Sequence, residues 1–144
     1  MRRDDGQALV LAVLALGIAA ATIVGLRGAQ DRILADARER RAGEAAVEAA
    51  GAALADAQLG FLASLHEETD GARRLPSRAE LDAFVVDGLV VARVRAAADA
   101  LARANAGGPI TELSVSVASR SMEIDLALGG HRQRASIDSR CCRR

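Results

Sequence analysis

The amino-acid sequence predicts an α+β fold with a long amino-terminal helix, a second helix and a carboxy-terminal three-stranded antiparallel β-meander. Three observations predict it. The run from Gln7 to Leu26 carries no charged residue, helix formers then continue without a proline as far as Leu75, and the hydrophobic period changes to two after Ile110. The first two features predict the long helix, and the third predicts the sheet.

The composition restricts the classes of function. The 144 residues are 51% hydrophobic but only 1% aromatic, and 19 basic residues, all of them Arg, balance 19 acidic ones. Because the net charge is zero and aromatic side chains are scarce, we expect no nucleic-acid partner and no aromatic-lined cofactor pocket. The sequence contains no arrangement typical of an enzyme, so we expect neither catalytic activity nor a cofactor.

The uncharged run 7–26 predicts a membrane helix, because about 20 apolar residues span a bilayer core. Residues 1–6 form a short leader or cytoplasmic segment before it. A cleavable secretory signal is the competing interpretation, but the charged helix formers after Leu26 do not resemble a cleavage region. Gly17, Ala21 and Gly25 recur at every fourth position and predict a face on which another helix packs closely, although glycine is also generally common in membrane helices.

Residues 27–66 predict an Ala-rich extension of the same helix, ending near His66. Small and apolar residues recur at helical spacing along it and need a close-packed neighbour. They are Ile33, Leu34, Ala37, Ala42, Ala46, Ala49, Ala50, Ala53, Leu54, Ala57, Phe61 and Leu65. The neighbour is either this chain's own second helix or an equivalent helix of another subunit.

Residues 67–77 are polar, contain Gly and Pro, and predict a loop before a small domain over 78–138. Ser77 and Glu80 have capping-box spacing, which predicts a helix starting at Arg78. The pattern around Gly88 also fits a hairpin over 84–91, but the helical run after it favours one helix to Asn105 that is weak at Gly88.

Alternation of apolar and polar residues predicts the strands and their register. A two-residue turn at Ser119-Arg120 pairs Val117 with Met122 and Val115 with Ile124. A turn at Gly129-Gly130 pairs Ile124 with Ala135 and Met122 with Ile137. Each pairing sets apolar opposite apolar, so one face of the sheet is expected under the Ala-rich helices and the other in water.

The remaining candidates for chemistry are few. His66 lies beside carboxylates and His131 begins the last strand, but neither has the spacing of a metal site, so we expect no metal. Adjacent Cys141 and Cys142 lie in the tail 139–144. Three interpretations stay open for them: free thiols, a disulfide or partner link in an oxidising compartment, and lipid attachment.

The start of the chain, Arg2–Leu11 (RRDDGQALVL), resembles the amino-terminal signature of TadE/TadG-like proteins of the tight-adherence (Flp) pilus. The stretch 41–56 (RAGEAAVEAAGAALAD) is similar to the Ala-rich helix that follows the membrane span in those proteins, and 97–128 resembles their carboxy-terminal part more loosely. The resemblance implies a pilin-like fold and a non-enzymatic role in pilus assembly or a related secretion system.

The broader pilin-like class implies a prepilin-peptidase cleavage between Gly6 and Gln7. Position 11 is Leu where such pilins usually carry Glu, which favours a minor pilin or an uncleaved assembly component over a main filament subunit. The expected partners are the bilayer, a prepilin peptidase, and other pilins or pilus-assembly proteins that contact the chain through helix packing.

The expected location is the bacterial inner membrane, as a single-pass protein with the carboxy-terminal domain outside the cytoplasm, incorporated in a pilus or retained in the membrane. Two alternatives remain. One is a membrane-anchored module that binds an extracytoplasmic ligand, and the other is a cytoplasmic adaptor of a membrane machine. More Arg residues follow the span than precede it, and this count favours a cytoplasmic domain.

Overall fold

The computed structural model describes residues 4–68 and 74–139. The elements, in chain order, are α1 (Asp4–Glu68), α2 (Arg78–Val85), α3 (Gly88–Ala104), β1 (Ile110–Val117), β2 (Ser121–Leu128) and β3 (His131–Asp138). The predicted α+β class, with a long first helix and a three-stranded antiparallel sheet, is confirmed. The chain divides into two compact units, Met1–Ala37 and Arg38–Arg144, so that α1 contributes to both.

The first turn of α2 contains the predicted capping box. The Ser77 hydroxyl accepts a hydrogen bond from the Glu80 amide at 3.3 Å, and the Glu80 carboxylate accepts one from the Ser77 amide at 2.8 Å. This second bond is the main reason that the pKa of Glu80 lies below its usual value. Because folding lowers this pKa, the Glu80 carboxylate stabilises the folded state fully above the usual carboxyl pKa. This stabilisation is lost as the pH falls through the lowered pKa of Glu80.

The second predicted helix is divided into two. The sequence indicated one helix from Arg78 to Asn105 with a weak point at Gly88, but α2 ends at Val85 and α3 starts at Gly88. The break occurs because Asp87 caps α3: its carboxylate accepts hydrogen bonds from the amides of Leu89 at 2.8 Å and Val90 at 3.2 Å. The alternative hairpin over 84–91 is not formed, and α3 ends at Ala104 with Asn105 as its cap, one residue before the predicted end.

The sheet has the strand order β1-β2-β3 and the predicted register. Val115 pairs with Ile124 and Ile124 with Ala135, and Met122 likewise lies between Val117 and Ile137. The Ala118 amide donates to the Ser121 carbonyl at 2.7 Å, which closes the two-residue turn at positions 119 and 120. In the second turn Gly129 and Gly130 have φ of +56° and +84°, the left-handed backbone that a tight hairpin needs.

The core lies between the apolar face of the sheet and the helices. Its buried residues come from α1 (Ala42, Ala46, Val47, Ala50, Leu54, Ala57), α2 (Phe84, Val85), α3 (Val94, Ala98, Ala102) and the strands (Ile110, Met122, Ile124, Leu126, Leu128). α1 lies near β3, since a Cβ added at Gly51 would be 3.9 Å from Ile137 Cδ1, while α2 and α3 contact β1. Helix α1 therefore shares one face of the three-stranded sheet with α2 and α3.

Alanine on α1 permits a close approach of the chain after α3. A Cβ at Gly107 would lie 2.5 Å from the Ala42 Cβ, closer than two carbon atoms can approach. Glycine at 107 and a small residue at 42 therefore allow this contact. At the other end of the core the rings of Phe61 and Phe84 stack, with centroids 4.9 Å apart and planes inclined by 21°.

Candidate interaction surfaces

The first part of α1 presents apolar side chains that this chain does not cover. Every residue from 9 to 36 is exposed, and we call this stretch the apolar helix segment. Its large side chains are 53% to 73% exposed; they are Leu9, Val10, Leu11, Val13, Leu14, Leu16, Ile18, Ile23, Val24, Leu26, Ile33 and Leu34. The helix is long and apolar enough, near the amino terminus, to cross a membrane.

One polar side chain within the uncharged run has its hydrogen bond satisfied locally. The Thr22 hydroxyl donates to the Ile18 carbonyl at 2.8 Å, one turn earlier in the helix. In a bilayer there is no water to accept from such a hydroxyl, so a bond within the helix is the arrangement that a membrane helix requires. The geometry of Thr22 is therefore compatible with a lipid environment.

The predicted helix-packing residues lie on an open face of this segment. Gly17, Ala21 and Gly25 are all exposed, and their spacing of four places them on one side of α1. No described atom lies within 4 Å of the position that a Cβ would take at Gly17 or Gly25, beyond the helix's own neighbouring backbone. The face is thus free to receive another helix.

The remaining predictions concern the cleavage residues, the two cysteines and the absence of a metal site. Gly6 and Gln7, the residues of the predicted cleavage, both lie within α1. Cys141 and Cys142 lie outside the described residues. Within the two described ranges, no group of three or more His, Cys, Asp or Glu side chains is arranged to hold a metal ion.

The neighbour of the Ala stripe is this chain itself from Ala42 onward. Ala42, Ala46, Ala50 and Leu54 are fully buried in the carboxy-terminal unit. The sequence left open whether another subunit would cover them, and the structure places this chain's own sheet and helices there. Ile33 and Leu34, earlier in the stripe, remain exposed, so the part of the stripe before Ala42 is available to a partner.

Gln58 is a buried polar residue that was not predicted from the sequence. Its side-chain amide, on α1, donates to the Ser139 carbonyl at 2.7 Å, and this bond attaches the end of β3 to the helix. The Ser139 amide in turn donates to the Arg120 carbonyl at 3.0 Å. A polar residue inside an otherwise apolar stripe was the signal that Gln58 is buried and hydrogen-bonded, but it does not indicate the partner.

A shallow apolar groove of about 520 Å³ lies between the end of α1, α2 and the start of α3. Phe61, Leu65, Phe84 and Val90 line it, together with Leu89, whose side chain is 83% exposed. Phe61 and Leu65 were predicted as part of the stripe, and the groove itself was not predicted. It arises where α2 ends early and α3 starts again behind the Asp87 cap.

The solvated face of the sheet carries paired charges. Arg132 contacts Glu112 at 2.6 Å and Arg134 contacts Asp125 at 2.9 Å, each pair joining different strands. The hydrogen bond to Asp125 is the main reason that the pKa of Arg134 is raised. Arg132, Glu112 and Arg134 are well exposed and Asp125 is partly buried, so these pairs add little to stability, and each pair carries no net charge.

No known protein family, no curated protein and no solved structure matches this chain. Its sequence and the surfaces described above are therefore the basis for a functional proposal.

Proposed function

We propose that the protein is a non-enzymatic, single-pass membrane protein that acts as a minor pilin-like or assembly component of a tight-adherence pilus or related secretion system. The observation that carries the proposal is the division of α1. Its first part is apolar and uncovered by the chain, while its later part is the scaffold of a small sheet domain. A helix of this kind suits a protein that is anchored in a bilayer and packs beside other helices.

The resemblance of residues 2–11 to TadE/TadG-like proteins supports the choice of machine. The location proposed is the bacterial inner membrane, with the carboxy-terminal unit outside the cytoplasm. Contacts with other pilins or assembly proteins would be made through the face of Gly17, Ala21 and Gly25, because the chain's own core already buries Ala42, Ala46, Ala50 and Ala57. A main filament subunit fits less well, since Leu11 stands where a charged Glu would be needed.

Replacing both Gly17 and Gly25 with Leu is expected to weaken assembly while leaving the protein in the membrane. Two isobutyl groups on this face prevent the close backbone approach that small residues allow, yet they make the helix more apolar. The measurement is the amount of partner pilus proteins that co-purify with the chain from detergent-solubilised membranes, and we expect a drop of roughly tenfold.

The matched control is the replacement of Ala15 and Ala19 with Leu, which adds nearly as much bulk to the same segment at positions off the small-residue face. That variant should co-purify its partners at the normal level. Unchanged co-purification with the Gly17 and Gly25 variant would contradict helix packing as the mechanism.

A second candidate is a cytoplasmic adaptor of a membrane machine, and the distribution of Arg residues favours it. Arg27, Arg32, Arg38, Arg40 and Arg41 follow the span, whereas Arg2 and Arg3 precede it. The positive-inside rule alone would place the carboxy-terminal unit in the cytoplasm, but it weakens when a folded domain follows the span.

Labelling of Cys141 and Cys142 with a membrane-impermeant maleimide separates the two candidates. In intact spheroplasts of the native organism we expect the two cysteines to be labelled as fully as in lysed spheroplasts, because the tail would lie outside the cytoplasm. A cytoplasmic protein with a known free cysteine serves as the control for lysis. Labelling that appears only after lysis would favour the adaptor.

A further inference from the structure

The two outer strands of the sheet are protected from pairing to different degrees. β3 carries Arg132, Arg134 and Asp138, and charged side chains on an edge strand discourage the addition of another strand. In β1 and the residue after it, the run 113–118 (LSVSVA) has no charge, no proline and no glycine. β1 is therefore the edge at which a further strand could be added.

The hairpin geometry determines which backbone groups of β1 face outward. The bond between Ala118 and Ser121 closes the turn, and in an antiparallel ladder bonded and non-bonded pairs then alternate. Ser114 and Ser116 exchange their hydrogen bonds with β2, so the amides and carbonyls of Leu113, Val115 and Val117 point away from the sheet. The Arg78 guanidinium donates to the Val117 carbonyl, which is consistent with an outward-facing carbonyl at Val117.

Both ends of this edge are occupied by arginine. Arg78 also donates to the Ala118 carbonyl at 2.8 Å, and Arg95 donates to the Ile110 carbonyl at 3.5 Å. Between them, the outward amides and carbonyls of Leu113 and Val115 have no hydrogen-bond partner in the part of the chain that the structure describes. The open stretch of the edge therefore consists of two outward-facing residues, Leu113 and Val115, one on each side of Ser114.

We propose that a second copy of this chain pairs with β1 through this edge, antiparallel and with the twofold axis at Ser114. In that register Leu113 and Val115 exchange hydrogen bonds with Val115 and Leu113 of the second copy, giving four bonds that use only free groups. A register centred on Val115 would instead require the Val117 carbonyl that Arg78 already occupies.

Side chains match across this axis. Leu113 lies opposite Val115 of the second copy on the apolar face, and Ser114 lies opposite Ser114 on the solvated face. Glu112 lies opposite Ser116, so no like charges meet. An uncharged stretch that is complementary to itself fits a second copy of the chain.

Four hydrogen bonds make a weak contact in solution. The contact becomes significant when both copies are held in one membrane, because anchoring raises their effective concentration. The inference thus rests on the proposed membrane anchoring and adds a self-contact outside the membrane helix. It does not depend on the identity of the pilus partners.

The test is disulfide cross-linking of the full-length chain, purified and reconstituted alone in phosphatidylcholine vesicles, with Cys141→Ser and Cys142→Ser in every variant. Ser114→Cys is expected to give a disulfide dimer under mild oxidation, because non-bonded antiparallel pairs bring Cβ atoms within about 5 Å. Ser116→Cys is the matched control. It lies on the same exposed face but opposite Glu112, and its dimer yield should be roughly tenfold lower.

Val115→Pro in the Ser114→Cys background removes the amide that would bond to the second copy, and it leaves the ladder to β2 intact because that amide points outward. We expect the dimer yield to fall roughly tenfold, while Val115→Ala, which keeps the amide, should retain it. Equal yields from the Ser114→Cys and Ser116→Cys variants, or a yield unaffected by Val115→Pro, would overturn the proposal. Because the vesicles contain only this chain, failure here is distinguishable from failure of the Gly17 and Gly25 experiment.

Discussion

Replacing Leu54 with Ala is expected to lower the free energy of unfolding of the carboxy-terminal unit by about 3 kcal/mol. Leu54 is fully buried on α1 and is among the largest side chains in a core that is otherwise rich in alanine. A core of small residues has little spare side-chain volume to fill the cavity, so the loss should lie within the usual range for Leu to Ala rather than be absorbed by repacking. The measurement is the midpoint of urea unfolding of the full chain in detergent, with pulse proteolysis used to determine the folded fraction at each urea concentration.

Leu59→Ala is the control for that experiment. Leu59 is the same residue type on the same helix, five positions later, but it is 59% exposed. Its replacement should change the free energy of unfolding by no more than about 0.5 kcal/mol. Equal effects of the two substitutions would mean that α1 does not pack on the sheet through the face that contains Leu54.

Replacing Leu14 and Ile18 with Arg is expected to abolish stable membrane integration. Each Arg near the centre of a membrane helix costs about 3 kcal/mol, so the pair opposes insertion by about 6 kcal/mol. The two positions are adjacent turns of the uncharged run, and both side chains are uncovered by the rest of the chain. The measurement is the fraction of the chain that resists carbonate extraction from membranes.

The control places the same charges farther along α1. Ile33 and Leu34 are also exposed and apolar, but they follow the uncharged run, so Ile33→Arg with Leu34→Arg should remain in the membrane fraction. Full resistance of the Leu14 and Ile18 variant to extraction would contradict the membrane assignment of residues 7–26.

The sheet could be predicted to the level of register because its signal is local. A period of two fixes which side chains face the core, and a slip of one residue would turn Val115 or Ile124 to water. Short hairpins then leave one register in which apolar residues oppose each other. The two-residue turn at Ser119-Arg120 forms although neither residue is one that such turns favour, because the strands on either side determine the pairing.

The break between α2 and α3 was harder to predict because two local signals compete. The valines on either side of Asp87-Gly88 suit a strand or a helix, and Gly88 indicates only that a helix would be weak at that position. The decisive group is the Asp87 carboxylate, which satisfies two free amides of a new helix. An Asp directly before a glycine that opens a helical run was a readable amino-terminal cap.

The interaction surfaces were predictable only in part. A stripe of alanine shows that a close neighbour is needed but not which one, and the sheet that covers it lies far along the chain. The bond between Gln58 and Ser139 could not be inferred for the same reason, because nothing near Gln58 indicates its partner. The face of Gly17, Ala21 and Gly25 remains a prediction, since its neighbour would belong to another molecule.

The bond from Gln58 to Ser139 joins residues 81 positions apart, and this has a consequence for synthesis of the protein. Helix α1 leaves the ribosome first, whereas the end of β3, to which Gln58 donates, is made after the other described elements. At about 5 to 20 residues per second, Gln58 waits roughly 4 to 16 seconds for its partner in each newly made chain. During that interval this part of the nascent helix must be shielded from neighbouring chains, and a chain truncated before β3 would lack the bond altogether.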